Sequence, residues 1–270
     1  MDNRPIGVFD SGLGGLTAVR QLTALLPAED VIYFGDTGRV PYGTRSPETI
    51  EKYVIQDCRF LERFDVKMII AACGTASSVA PHVLEGLAVP AIGAVKPAAA
   101  AALAATKTGR IGVIGTAATA RTDVFRKLIQ AADPNTEVIT AACPLFVPLV
   151  ENGWIDPGDE IVLGTAKRYL LPLREQGIDT LILGCTHFPL LAPVIAAVMG
   201  EEVTLIDAGK EAALVCEKTL RERELLKKEG TGSCRFFVSD RPDDFTAVAS
   251  MFLGREVSEE VEQVTINNEQ

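Results

Sequence analysis

Basic residues are in short supply in this chain. Its 26 lysines and arginines stand against 36 aspartates and glutamates, a formal net charge of −10 over 270 residues. That deficit speaks against a nucleic-acid partner held through a basic surface. It also repels anions at long range, so an anionic ligand must find its donors locally. No apolar run reaches the roughly 18 residues that a membrane-spanning helix needs. Residues 1–5 are polar, and no basic n-region or small-residue cleavage site follows them. The expectation is a soluble cytoplasmic protein, with no membrane association. The six cysteines (58, 73, 143, 185, 216, 234) include no CxxC pair, and neither histidine stands at zinc-site spacing from them. They read as free thiols, most of them small buried hydrophobes, with no metal expected.

What is present is ordinary globular composition, 47% hydrophobic and 23% charged, in a chain long enough for two modest domains. Short apolar runs at Ile6–Phe9, Val31–Phe34, Met68–Ala72 and Ala91–Val95 recur in the second half. Their counterparts are Ile111–Ile114, Val138–Thr140, Thr180–Leu183 and Thr204–Ile206. Amphipathic stretches such as Gly15–Leu26 and Thr122–Ala132 lie between them, which predicts an α/β fold with mainly parallel sheets. The halves also align residue by residue. Ile6-Gly7-Val8 matches Ile111-Gly112-Val113 at a shift of about 105, and Val31-Ile32 matches Val138-Ile139 at about 107. MIIAAC, ending at Cys73, matches TLILGC, ending at Cys185, at about 112. AVKPAAA at 94–100 resembles AGKEAAL at 208–214. Matches in one order with slowly growing shifts indicate a duplicated unit. The predicted architecture is two pseudo-symmetric doubly wound domains, 1–97 plus 208–270 and 98–207, with the site in the cleft between them. The tail contributes a helix (Glu211–Lys227), a strand (Cys234–Ser239) and a helix (Pro242–Phe252) that return to the first unit.

Ligands of parallel α/β sheets sit at the carboxyl ends of the strands. Duplication therefore sets Cys73 and Cys185 on opposite sides of one cleft. Two bases on opposite faces of an α-carbon invert it without moving, and a thiol can serve as acid or base near neutrality. Each cysteine ends a strand and precedes a predicted helix N-terminus, which favours a lowered thiol pKa. An electron-sink cofactor is not needed on this reading. Around the pair, Asp10 and Ser11 leave a strand into a glycine-rich turn whose N–H groups can face an anion; its glycines at 12, 14 and 15 do not form a dinucleotide fingerprint. Tyr42 and Gly43 lie in a second strand-end loop that could hold a carboxylate. His187 stands two residues after Cys185, placed to tune that thiol. His82 reads as an exposed helix residue, and Lys96 and Lys210 as solvated lysines at helix starts.

FDSGLGG (9–15), YFGDTGRVPYG (33–43), AACGTAS (71–77), VPLVENG (147–153) and LGCTHFPLL (183–191) together resemble the glutamate racemases of the aspartate/glutamate racemase superfamily. The resemblance covers almost the whole chain. It implies two α/β domains closing over glutamate without metal or cofactor, and Cys73 and Cys185 as the acid/base pair. Asp10 would assist Cys73, and His187 would assist Cys185 with Glu151 nearby. Ser11, Tyr42, Gly43, Thr75, Thr119 and Thr186 would bind the substrate's charged groups. It further implies a homodimer in bacterial cytoplasm that supplies D-glutamate for peptidoglycan. One position departs from the pattern: Gly74 stands where the family usually has Asn. Losing one polar contact typically costs about 0.5–1.5 kcal/mol, so weaker binding or slower turnover is expected, which Gly74→Asn would reverse. A decarboxylase of the same superfamily needs only one of the two cysteines, and a non-enzymatic binder needs neither.

Overall fold

The computed structural model describes residues 2–266. Its strands are β1 (Ile6–Asp10), β2 (Val31–Gly35), β3 (Met68–Ala71), β4 (Ala91–Gly93), β5 (Arg110–Gly115), β6 (Glu137–Ala142), β7 (Thr180–Leu183), β8 (Thr204–Asp207), β9 (Cys234–Val238) and β10 (Val261–Gln263). They form two sheets, β10-β9-β2-β1-β3-β4 and β6-β5-β7-β8. Every pairing is parallel. β1, β2 and β3 are buried along their whole length, as apolar strands covered by helices on both faces should be.

The order β2-β1-β3-β4 repeats as β6-β5-β7-β8. The register repeats as well. Ile6 pairs with Val31 and Met68, and its counterpart Ile111 pairs with Val138 and Thr180. Ile69 stands opposite Ala91 as Leu181 stands opposite Leu205. The growing shifts in the sequence match therefore fall in the connections, while the hydrogen-bonded ladder stays in phase. The tail joins the first sheet, where β9 runs beside β2 with Val31 opposite Cys234.

Helix boundaries follow local capping chemistry. The helix Pro47–Glu62 starts behind Ser46, whose hydroxyl accepts the Thr49 N–H, and carries Pro at its first position. The tail helix runs Ala208–Glu222, three residues earlier than the apolar pattern suggests. Asp207, at the end of β8, accepts from the N–H groups of Gly209 and Lys210 and so begins the helix directly after the strand. The next helix, Pro242–Leu253, closes on Gly254 at a φ of 69°, the left-handed conformation glycine adopts cheaply. β10, three residues at the sheet edge, has too short a pattern to stand out in the sequence. One buried apolar cluster is continuous from Ile6 and Val8 of the first sheet to Leu181 and Leu183 of the second and Phe188 just beyond it.

Lys67 is a buried staple. It has no exposed side-chain surface, pairs with Glu29 at 2.5 Å, and donates to the carbonyls of Asp2 and Leu225 at 2.8 Å each. Three separate segments therefore meet on one ammonium. Replacing it by methionine strands the buried Glu29 carboxylate, a change that typically costs about 3–5 kcal/mol. Urea unfolding of Lys67→Met should show a loss of that order; an unchanged midpoint would mean the pair holds nothing together.

Candidate active site

Four strand ends converge on one cavity. Ser11 follows β1, Cys73 follows β3, Thr116 follows β5 and Cys185 follows β7. The cavity measures about 370 Å³. Of the residues expected from the sequence, Ser11, Tyr42, Gly43, Cys73, Gly74 and Thr75 line one side. Glu151, Cys185, Thr186 and His187 line the other. Asp10 and Thr119 stand one layer back. Asp10 is fully buried, accepting from the Gly12 N–H at 3.1 Å and the Thr186 hydroxyl at 3.3 Å. Burial pushes its carboxyl up, with the nearby His187 and the N–H groups of Gly15 and Gly12 pulling the other way. Thr119 supports Thr116 at 3.2 Å, and Thr116 in turn meets Thr75 at 3.0 Å across the cleft.

The two cysteines sit in unlike surroundings. Cys73 caps the helix Gly74–Val79, its sulfur accepting the Ala76 N–H at 3.5 Å, and its thiol donates to the Ser11 hydroxyl at 3.5 Å. The expectation of a lowered pKa fails here. Burial, and after it the charge of Asp10, push the Cys73 thiol up to about 12, overriding the Ser11 and Ala76 contacts. Six helical residues carry a small dipole, and desolvation of a thiolate is the larger effect.

Cys185 is not at an α-helix start. A 3₁₀ turn, Phe188–Leu191, intervenes, and the helix begins at Ala192 with Pro193 in its first turn. Its sulfur lies 3.9 Å from His187 Nδ1 instead, and His187 Nε2 lies 2.9 Å from Glu151 Oε1. Burial opposes a charge on His187, but its hydrogen bonds to Cys185 and Glu151 outweigh it and raise the imidazole to about 10. His187 is then an imidazolium at neutral pH, directing one N–H at sulfur and the other at carboxylate.

Tyr42 lines the cavity and is held in place through its hydroxyl. Its hydroxyl lies between Asp36 at 2.5 Å and Asp57 at 2.8 Å. Arg39 ties the same two carboxylates, at 2.6 and 2.9 Å. The phenol thus fixes the loop, and what that loop turns to the cavity includes Tyr42, Gly43 and Thr44. His82, paired with Glu51, and Lys96, paired with Glu85, are exposed as expected.

Several lining residues escaped the sequence reading. Thr116 is the repeat counterpart of Ser11, and Cys143 follows β6 as Asp36 follows β2, so the alignment of halves carried a signal for both. Cys143 is a thiol pushed up to about 12 by burial and then by Cys185. Of the apolar wall, Val40, Pro41, Val147 and Pro148 lie inside motifs quoted above without being singled out, and Pro144 lies outside them. No lysine or arginine is among the residues lining this cavity. Hydroxyls of Ser11, Thr75, Thr116 and Thr186, backbone N–H groups and the His187 cation are among the available donors. Among the described residues no cluster of three or more His, Cys, Asp and Glu could hold a metal ion.

The model of the Asp/Glu/Hydantoin racemase family matches residues 6–216. A glutamate racemase of Geobacter metallireducens is 47% identical, over 98% of each chain. Among solved structures, glutamate racemase isoform RacE1 of Bacillus anthracis superposes with a TM-score of 0.93 at 38% identity, covering 98% of both chains. The glutamate racemase of Francisella tularensis, solved in complex with D-glutamate, gives 0.91 at 40% identity over 99% of each. A family match over most of the chain and near-complete coverage of these relatives lead to one conclusion: this chain belongs to the Asp/Glu/Hydantoin racemase family and is an isomerase of amino acids.

Proposed function

We propose that the enzyme interconverts L- and D-glutamate by a two-base transfer between Cys73 and Cys185. The observation that carries this reading is the pair of sulfurs from equivalent repeat positions lining one cavity. One sulfur, as thiolate, takes the α-proton; the C–H electron pair stays on the α-carbon; the opposite thiol delivers its proton to the other face. In the direction that Cys185 takes the proton, Cys73 is the donor, a role suited to a thiol held at about 12. The His187 imidazolium, held by Glu151, places positive charge beside the Cys185 sulfur. In the reverse direction Asp10 assists Cys73. Ser11, Tyr42, Gly43, Thr75 and Thr186 bind the ammonium and carboxylates, with Gly74 beside them and Thr119 supporting from behind. The reaction needs no cofactor or metal on this account.

The units 1–97 plus 208–270 and 98–207 are the two halves that clasp the substrate. A homodimer is supported by exposed Leu145, Trp154 and Ile161 on the second unit. The role that fits is supply of D-glutamate for peptidoglycan in bacterial cytoplasm.

α-Proton exchange in D₂O tests the assignment. Cys73→Ser and Cys185→Ser should each lower racemisation by about 10²–10⁴-fold, the usual worth of a general acid/base. Each should keep exchange on one enantiomer, and not the same one. Loss of exchange on the same enantiomer in both variants would sink the reading.

The histidine assignment has its own check. With two histidines in the chain, NMR of the imidazole resonances resolves His187 once His82→Gln is compared. His187 should remain protonated through neutral pH and lose its proton near pH 10. Glu151→Gln removes an interaction that raises this pKa, so the midpoint should move down. Titration of wild-type His187 at or below its ordinary 6.5 would contradict the picture.

A further inference from the structure

We infer that Gly74 is a positioning residue that sets the gap between the two sulfurs, because its bare Cα rests against the Gly184 carbonyl. The inference builds on the two-cysteine reading above. Gly74 has no positive φ, so backbone conformation does not require glycine there. Space does. A Cβ at 74 would fall far inside contact distance of the Gly184 oxygen, 3.1 Å from its carbonyl carbon and 3.8 Å from Cys185 Cα. Those neighbours are backbone atoms, and no rotamer change moves them aside.

Gly184 cannot easily retreat. Its N–H donates to the Ile114 carbonyl at 2.8 Å, which fastens it to the end of β5. On the facing side, Gly74 opens the helix that Cys73 caps. The contact is therefore one residue from each sulfur, between segments anchored to different sheets. Two other glycines lie on the same seam. A Cβ at Gly14 would meet the side chains of Thr186 and His187, and one at Gly43 would stand 3.1 Å from Thr116 Cβ. Those partners are side chains, so some adjustment is open to them; the Gly74–Gly184 contact has none.

A side chain at 74 would push Cys73 and Cys185 apart. Proton removal needs one sulfur within reach of the α-carbon, whereas inversion needs both. Widening should thus slow inversion more than binding or one-sided exchange. This reverses the expectation drawn from the sequence, since asparagine also carries a Cβ and would not simply restore an amide.

Gly74→Ala and Gly74→Asn, followed with each glutamate enantiomer in D₂O, test the idea. Racemisation should fall about 10–100-fold in kcat, the scale of a misplacement near 1 Å, with KM little changed. Deuterium entering the unreacted enantiomer should fall less, so the ratio of exchange to inversion rises. Gly164→Ala, whose Cβ would enter open space on a helix, should behave as wild type. Wild-type turnover in both Gly74 variants, or exchange and inversion lost in equal proportion, would overturn the inference. If the variants do not fold, a crystal structure of the wild-type glutamate complex decides, and separation of Gly74 Cα from the Gly184 oxygen counts against it. Failure of the wild-type enzyme to racemise glutamate, or full activity of Cys73→Ser, would instead remove the two-cysteine reading itself.

Discussion

Parallel pairing in a shared register governs where the chemistry can occur. β1 carries β2 and β3 on its flanks, β5 carries β6 and β7, and corresponding residues stand opposite one another in both sheets. A one-residue slip in β3 or β7 would turn every side chain of that strand to the other face. It would carry Cys73 or Cys185 out of the cavity with it. The continuous apolar cluster between the sheets then holds the four strand ends together.

Duplication places the sulfurs symmetrically but does not make them alike. By the shift that relates the cysteines, Gly74 corresponds to Thr186 and Thr75 to His187, while by the shorter shift that relates β1 to β5 Asp10 corresponds to Gly115. One thiol has a buried carboxylate behind it and is pushed up; the other has an imidazolium next to it. A chain of interactions crosses between the halves: Thr186 donates to Asp10 and Thr17 donates to the Thr186 carbonyl. Thr75 meets Thr116 nearby. In a cavity lined by no lysine or arginine, the fixed charges are few and each is held by a named partner. Donors already oriented by the fold reorganise little when charge develops, which is where such a site gains over water.

The strands and the cysteine pair were readable in the sequence because apolar periodicity and self-similarity are local signals. Thr116 was readable in principle, through its correspondence with Ser11. Tyr42 shows where that reading stops. Its motif suggested a substrate contact but said nothing of how the phenol is held, by Asp36 and by Asp57, which arrives from a separate helix. The Cys73 thiol is a second instance. A strand end followed by a helix start suggested a lowered pKa, yet the outcome rests on how much water the surrounding elements exclude.

From the sequence alone came the duplicated α/β plan, the return of the tail to the first unit, and two cysteines at matching strand ends. These depend on hydrophobic patterning and chain order, which each segment carries within itself. The separation of the two halves, the coupling of Cys185 to His187 and Glu151, and the reason for glycine at 74 belong to the tertiary structure. Each is set by atoms far apart in the chain, and only packing determines how close they come and what solvent remains between them.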